Sequence, residues 1–228
     1  MSRETDNEAF VREFQRRAGI GVDGWAGRKE AWPALDRILP LKAETGVHAL
    51  SDPAAFFAAV RADFGPLSQG QVEGFNHLLS AMKAWPVEWA AYGLATVWHE
   101  TAATMQPIAE YGKGKGRTYG KPGKHNGQIA YGRGYPQVTW DYNYEAVDKG
   151  LGLNGALIQN YELALDPDIS ARALVFGMET GLFTGKGLKS YPRGHYTDYR
   201  RIINGTDKAA QIAGYAMKFE NALRAGGW

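Results

Sequence analysis

The sequence predicts an all-α, mainly helical protein, and three observations predict it. Apolar residues recur at three- and four-residue steps through most segments, and helix-start signals precede those segments. No run alternates apolar and polar residues persuasively enough to make a sheet. At most a short hairpin is expected, near residues 128–139.

The elements follow in order. In residues 7–39, "NEAFVREFQRRAGIGVDGWAGRKEAWPALDRIL" reads as helix, glycine-rich turn, helix, with Phe10, Val11 and Phe14 at helical spacing and Trp32, Leu35 and Leu39 likewise. This gives a small helical module over residues 1–45, too short to bury much surface alone. The main domain spans residues 51–228. "SDPAAFFAAVRADF" opens with Asp52 as cap and Pro53 in the first turn. "SQGQVEGFNHLLSAM" begins with a capping-box pattern, Ser68 to Gln71, and sets Val72, Phe75, Leu79 and Met82 on one face. "VEWAAYGLATVWHETAATM", with Leu94, Val97 and Trp98 in register, reads as a buried central helix. "DPDISARALVFGM" starts at another Asp-Pro pair, and the last helix carries Ile212, Tyr215, Phe219 and Leu223. Residues 111–134, rich in Gly, Lys and Arg, have no helical period and read as a loop. A loop this long inside a compact domain is more often functional than not, and its basic charge suits an anionic polymer.

Bulk composition narrows the function classes. The 228 residues are 44% hydrophobic and 22% charged, as in soluble globular proteins, and a net charge of +2 does not argue for nucleic acid. With no cysteine, disulfides and thiolate metal or redox chemistry are excluded. No apolar run suggests a signal peptide or a membrane span.

Two glutamates draw attention to chemistry. Glu100 and Glu110 flank an uncharged stretch in "WHETAATMQPIAEYG". On one continuous helix they would point roughly 80° apart and sit about 15 Å apart along the axis. Pro107 breaks that helix and lets Glu110 fold back toward Glu100. Glu100, at the end of an apolar helix, fits a general acid, because burial disfavours a charged carboxyl. Glu110, in a wetter setting, fits a general base. Paired carboxyls in unlike environments suit glycosidic hydrolysis; the bland alternative is two helix-surface glutamates. The stretch "YGRGYPQVTWDYNY" packs aromatic rings, Tyr131 among them, beside Gln137, Thr139 and Asn143, a mixture suited to sugar faces and hydroxyl rims or simply to an aromatic core. His99 lacks a second histidine four residues on, where Ala103 stands, so a zinc helix is not indicated; His125 and His195 read as solvated loop residues.

The stretches "HETAATMQPIAEYG", "YGRGYPQVTWDYNY" and "RRIINGTD" together resemble glycoside hydrolase family 19, and more narrowly its lysozyme-type branch found in bacteriophage endolysins. "FFAAVRADFGPLSQGQVEGFN" and "GLFTGKGLKSY" are similar to that branch as well, so the resemblance spans roughly residues 52–225. It implies a lysozyme-like, class-I-chitinase-like helical domain and an inverting mechanism without cofactor or metal. It further implies Glu100 as general acid, Glu110 as base, Thr139 as the residue holding the attacking water, and Gln137, Asn143, Asn204 and Arg201 as sugar contacts. Plant chitinases of the family place their second glutamate farther along and have "NGG" where this chain has "NGT". Residues 7–40 resemble the second half of a peptidoglycan-binding type 1 module, with Phe14, Gln15, Asp23, Gly24 and Trp25 as the implied wall contacts. The implied protein is a monomeric N-acetylmuramidase that works on bacterial peptidoglycan and engages neither nucleic acid nor membrane. Made without a signal peptide, it would wait in the host cytoplasm until a phage pore releases it to the periplasm. A chitinase, a lytic transglycosylase and a non-catalytic wall-binding protein are the alternatives.

Overall fold

The computed structural model describes residues 50–228, within the unit Gly46–Trp228. The helical module expected over residues 1–45, including Phe14, Gln15, Asp23, Gly24 and Trp25, lies outside the described residues.

Helix α1, Pro53–Phe64, starts where the Asp52 carboxylate accepts a hydrogen bond from the Ala55 amide at 2.9 Å. It stops at Gly65, whose φ of +88° suits glycine. Helix α2, Gln69–Met82, begins with both halves of the predicted capping box, Ser68 and Gln71. It buries Phe75, Leu78, Leu79 and Met82. Helix α3, Val87–Glu100, is central: every residue from Ala90 to Val97 is buried, as its small and apolar sequence requires. Helix α8, Ala209–Ala225, packs along α3 and against α1, with Ile212, Phe219 and Leu223 fully buried. Between α3 and α8 lie α4 (Asp141–Leu151), the single-turn α5 (Ala156–Gln159), α6 (Pro167–Thr180) and the single-turn α7 (Tyr196–Tyr199). Short 3-10 turns at Tyr161–Leu165, Leu188–Ser190 and Arg200–Ile202 complete the connections. Helix α6 opens at Asp166, which accepts from the Asp168 and Ile169 amides, and packs on α2.

Two details differ from the sequence expectation. The helix carrying Glu100 ends at Glu100 itself, well before Pro107. The Thr101 hydroxyl donates to the Val97 carbonyl at 2.7 Å and accepts from the Met105 amide at 3.1 Å. Ala102, Ala103 and Met105 then take left-handed φ values of 48°, 64° and 55°, conformations in which a side chain costs energy. Met105 is fully buried within this reversal, and the helix ends before Pro107 is reached. The second difference is an added strand pairing beyond the expected hairpin, which the Arg133–Val138 bridge forms. Arg133–Gly134 (β2) lies in the expected hairpin region, and it also pairs antiparallel with Ile108–Ala109 (β1), with Ile108 opposite Gly134. A single bridge between Arg133 and Val138 closes the turn beyond.

Candidate functional site

Glu100 stands at the last turn of α3 with a quarter of its side chain exposed, and its Oε1 accepts from Arg200 Nη1 at 2.8 Å. The Arg200 side chain is only 2% exposed. Its Nε donates to the Asp207 carbonyl at 2.8 Å. An apolar setting was expected for Glu100; the structure instead gives it a buried cation. The neighbouring Arg201, expected to touch sugar, is exposed, and its carbonyl accepts from the Thr184 hydroxyl at 2.7 Å. Because the chain turns as a 3-10 helix over Arg200–Ile202, only one of the two arginines can face inward. Nothing in "RRIING" marks which of them does. Asn204 is exposed, its amide donating to the Arg200 carbonyl at 2.9 Å, so it follows the turn that carries the cation.

Glu110 follows β1. Its amide donates to the Gly132 carbonyl at 2.7 Å, and its Oε2 accepts from the Gly132 amide at 3.0 Å. Its Oε1 accepts from the Tyr119 hydroxyl at 2.9 Å. Burial, and next the hydrogen bond to this carboxylate, hold the Tyr119 phenol above its ordinary range, so it remains a donor at neutral pH.

Gly132 is also where the other predicted residues gather. A Cβ added there would lie 2.8 Å from Gln137 Oε1 and 3.3 Å from Thr139 Oγ1. Gln137 Nε2 donates to the Ile108 carbonyl at 3.0 Å and to the Gly134 carbonyl at 2.8 Å, fastening β1 to the turn after β2. The Thr139 hydroxyl donates to the Gln137 carbonyl at 2.9 Å, and Asn143 Nδ2 donates to the Thr139 carbonyl at 2.8 Å. Glu110, Gln137, Thr139 and Asn143 thus form one connected cluster around a residue that has no side chain to fill it.

Tyr131 lies elsewhere. It is 6% exposed, its hydroxyl donates to Glu162 at 3.0 Å, and the Arg133 guanidinium sits 3.4 Å from its ring centroid. Arg133 is itself buried and donates to the carbonyls of Ile129 and Tyr131 and to the Tyr144 hydroxyl. This pair is the internal brace of the segment that carries Gly132.

Sequence reading did not single out Trp140 and Tyr142, which the structure leaves 37% and 60% exposed. Their rings stack at 6.0 Å, and Trp140 meets Tyr119 edge-on at 5.2 Å. The Trp140 φ of 76° aims its backbone out of the turn before α4. A non-glycine residue at positive φ leaves no trace in sequence.

His125 is 23% exposed and pairs with Glu145 at 2.6 Å, a correction to its reading as a solvated loop residue. Lys124 bonds the same carboxylate, and these two contacts hold the Glu145 carboxyl below its ordinary range. His195 is more than half exposed, 3.5 Å from Asp198. Among the described residues, no three His, Asp or Glu side chains come together to hold a metal ion.

No family model matches the sequence, and no curated protein matches it. Among solved structures, chitinase C from Streptomyces griseus HUT6037 aligns at 21% identity over 83% of this chain and 74% of its own, with a TM-score of 0.49. A bacterial family 19 chitinase aligns at 21% identity over 85% of this chain and 92% of its own, with a TM-score of 0.42.

Proposed function

We propose that the chain is a glycoside hydrolase that cleaves the β-1,4 bond between N-acetylmuramic acid and N-acetylglucosamine of bacterial peptidoglycan, serving as a phage endolysin. One observation carries the reading: two partly buried carboxyls have unlike partners. Glu100 faces the cation of Arg200, whereas Glu110 accepts from two neutral donors beside Thr139.

In this reading Glu100 gives its proton to the leaving glycosidic oxygen as the bond to the anomeric carbon breaks. Arg200 donates to Oε1 and stabilises the carboxylate that results. A water near the Thr139 hydroxyl attacks the opposite face of the sugar, and Glu110 takes its proton, so configuration inverts. Tyr119 and the Gly132 amide orient Glu110. Trp140 and Tyr142 offer flat apolar faces to sugar rings. The protein reaches the wall from the host cytoplasm once a phage pore opens.

The test is turbidity loss of permeabilised Gram-negative cells. Glu100→Gln and Glu110→Gln should each lower the rate by about 100-fold or more. Undiminished lysis by Glu100→Gln overturns the reading; undiminished lysis by Glu110→Gln moves the base elsewhere. Mass spectrometry of the products decides the reaction type, since hydrolysis adds water and a lytic transglycosylase leaves anhydro ends. Release of sugars from chitin and none from peptidoglycan would make the chain a chitinase.

A further inference from the structure

We infer that the glycine-lysine loop over residues 112–124 is an electrostatic shelf that selects glycans bearing carboxylates over neutral ones. The inference rests on the proposed hydrolase reading and names the substrate feature that the loop recognises.

The charge distribution comes first. The whole chain has 26 Lys and Arg against 24 Asp and Glu, yet residues 111–128 hold five Lys or Arg and no acid. The rest of the chain is therefore net −3, so the loop carries the chain's excess of positive charge. Lys113, Lys115, Arg117, Lys121 and Lys124 are all exposed. Among the described residues only Lys124 has an ion-pair partner, Glu145. Among the described residues, four cations are thus presented outward without internal neutralisation.

Placement comes second. The loop is fixed at its middle to the candidate base, because the Tyr119 hydroxyl bonds Glu110 and the Tyr119 ring meets Trp140. Arg117 and Lys121 flank Tyr119 by two residues, so their Cα atoms lie within about 7.6 Å of its Cα. The two cations therefore sit on the same short stretch of loop as the tyrosine that bonds Glu110. The shelf is also built in advance. A Cβ at Gly120 would fall 1.7 Å from the Gly114 carbonyl oxygen, so the backbone crosses itself in close contact there. Successive tight turns, Lys113 to Glu110, Lys115 to Gly112 and Arg117 to Gly114, hold the run before the crossing.

The cation type comes third. Four of the five are lysines, dispersed point charges rather than the forked guanidinium pairs that grip phosphate. Peptidoglycan offers carboxylates on its stem peptides, and on the lactyl ethers wherever the peptide has been removed, recurring along the same chain whose glycosidic bonds would face Glu110. Chitin has none. Nucleic acid would also attract lysines, but its backbone has no bond for two carboxyls of this kind to cleave.

The test uses the full chain with Lys115→Gln, Arg117→Gln and Lys121→Gln combined. Lys113 is left because its φ is 50°, and Lys124 because it holds Glu145. Hydrolysis and co-sedimentation are measured on native peptidoglycan and on peptidoglycan whose free carboxyls have been amidated. Expected is a loss of about tenfold in kcat/KM and in binding on the native polymer, less than about twofold on the amidated one. Raising salt from about 50 mM to about 300 mM should erase the difference. Equal losses on both polymers, or none on the native one, overturn the shelf. So does a DNA mobility shift abolished by the triple variant while peptidoglycan binding is unchanged. If no preparation hydrolyses peptidoglycan the proposed reaction fails, while co-sedimentation still decides the shelf.

Discussion

Gly132 shows how one residue without a side chain organises a site. Its amide binds Glu110, and the space its Cβ would fill belongs to Gln137 and Thr139. Gly132→Ala would force a contact of 2.8 Å on Gln137 Oε1, an atom at the end of a side chain whose amide nitrogen is committed to two carbonyls. The methyl therefore displaces the Gln137 and Thr139 side chains while the helical core stays intact. We expect a drop in turnover of about tenfold or more with less than about 1 kcal/mol lost in a urea melt; unaltered kinetics would show that Thr139 does not act at Glu110. The same scale explains which arginine pairs with Glu100. Arg200 and Arg201 are chemically identical in sequence, and only the turn that buries one of them assigns the role.

At the scale of elements, the reversal after α3 decides where Glu110 goes, and α2 supports that reversal. Gln71 Nε2 donates to the Ala103 carbonyl at 2.8 Å and Gln106 Nε2 to the Gly70 carbonyl. Gly74 lets the reversal press directly on α2, since a Cβ there would fall 1.8 Å from the Met105 carbonyl oxygen. That neighbour is backbone and cannot swing aside. Gly74→Ala should cost about 3 kcal/mol and depress activity together with stability, because the chain leading to Glu110 must shift. A thermal melt equal to wild type would show that α2 and the reversal are not in contact. The helices themselves were legible: the Asp52, Ser68 and Asp166 starts follow from capping chemistry, and the buried faces of α2, α3 and α8 follow from helical spacing. The strand pairing was not, because a two-residue ladder is too short for alternation to appear.

Across the described unit, its two ends meet. The Asp52 amide donates to the Gly226 carbonyl at 2.9 Å, α8 packs on α1, and the Trp228 indole donates to the Trp85 carbonyl at 3.1 Å. The last residue therefore helps to lock helices from both ends of the unit around α3. Trp228→Ala should lose about 2 kcal/mol and lower Tm by about 6 °C, while kcat in the proposed reaction stays within about twofold of wild type. A larger fall in kcat than in stability would mean that this end of the core communicates with Glu100.

The sequence by itself determined the helical class, the helix starts, the apolar stripes and the chemical types that could act: two carboxyls, a hydroxyl, amides and aromatic rings in a basic, glycine-rich setting. Those properties follow from local spacing and from side-chain chemistry, which need no knowledge of what lies opposite. Tertiary structure alone decided that Glu100 meets Arg200 rather than an apolar wall. It alone gathered Glu110, Gln137 and Thr139 at Gly132, and turned Tyr131 inward while leaving Trp140 and Tyr142 outside. The path to Glu110, the gathering at Gly132 and the outward Trp140 run through left-handed residues at 102, 103, 105, 137 and 140. Their conformations are unfavourable locally and exist because burial elsewhere compensates for them.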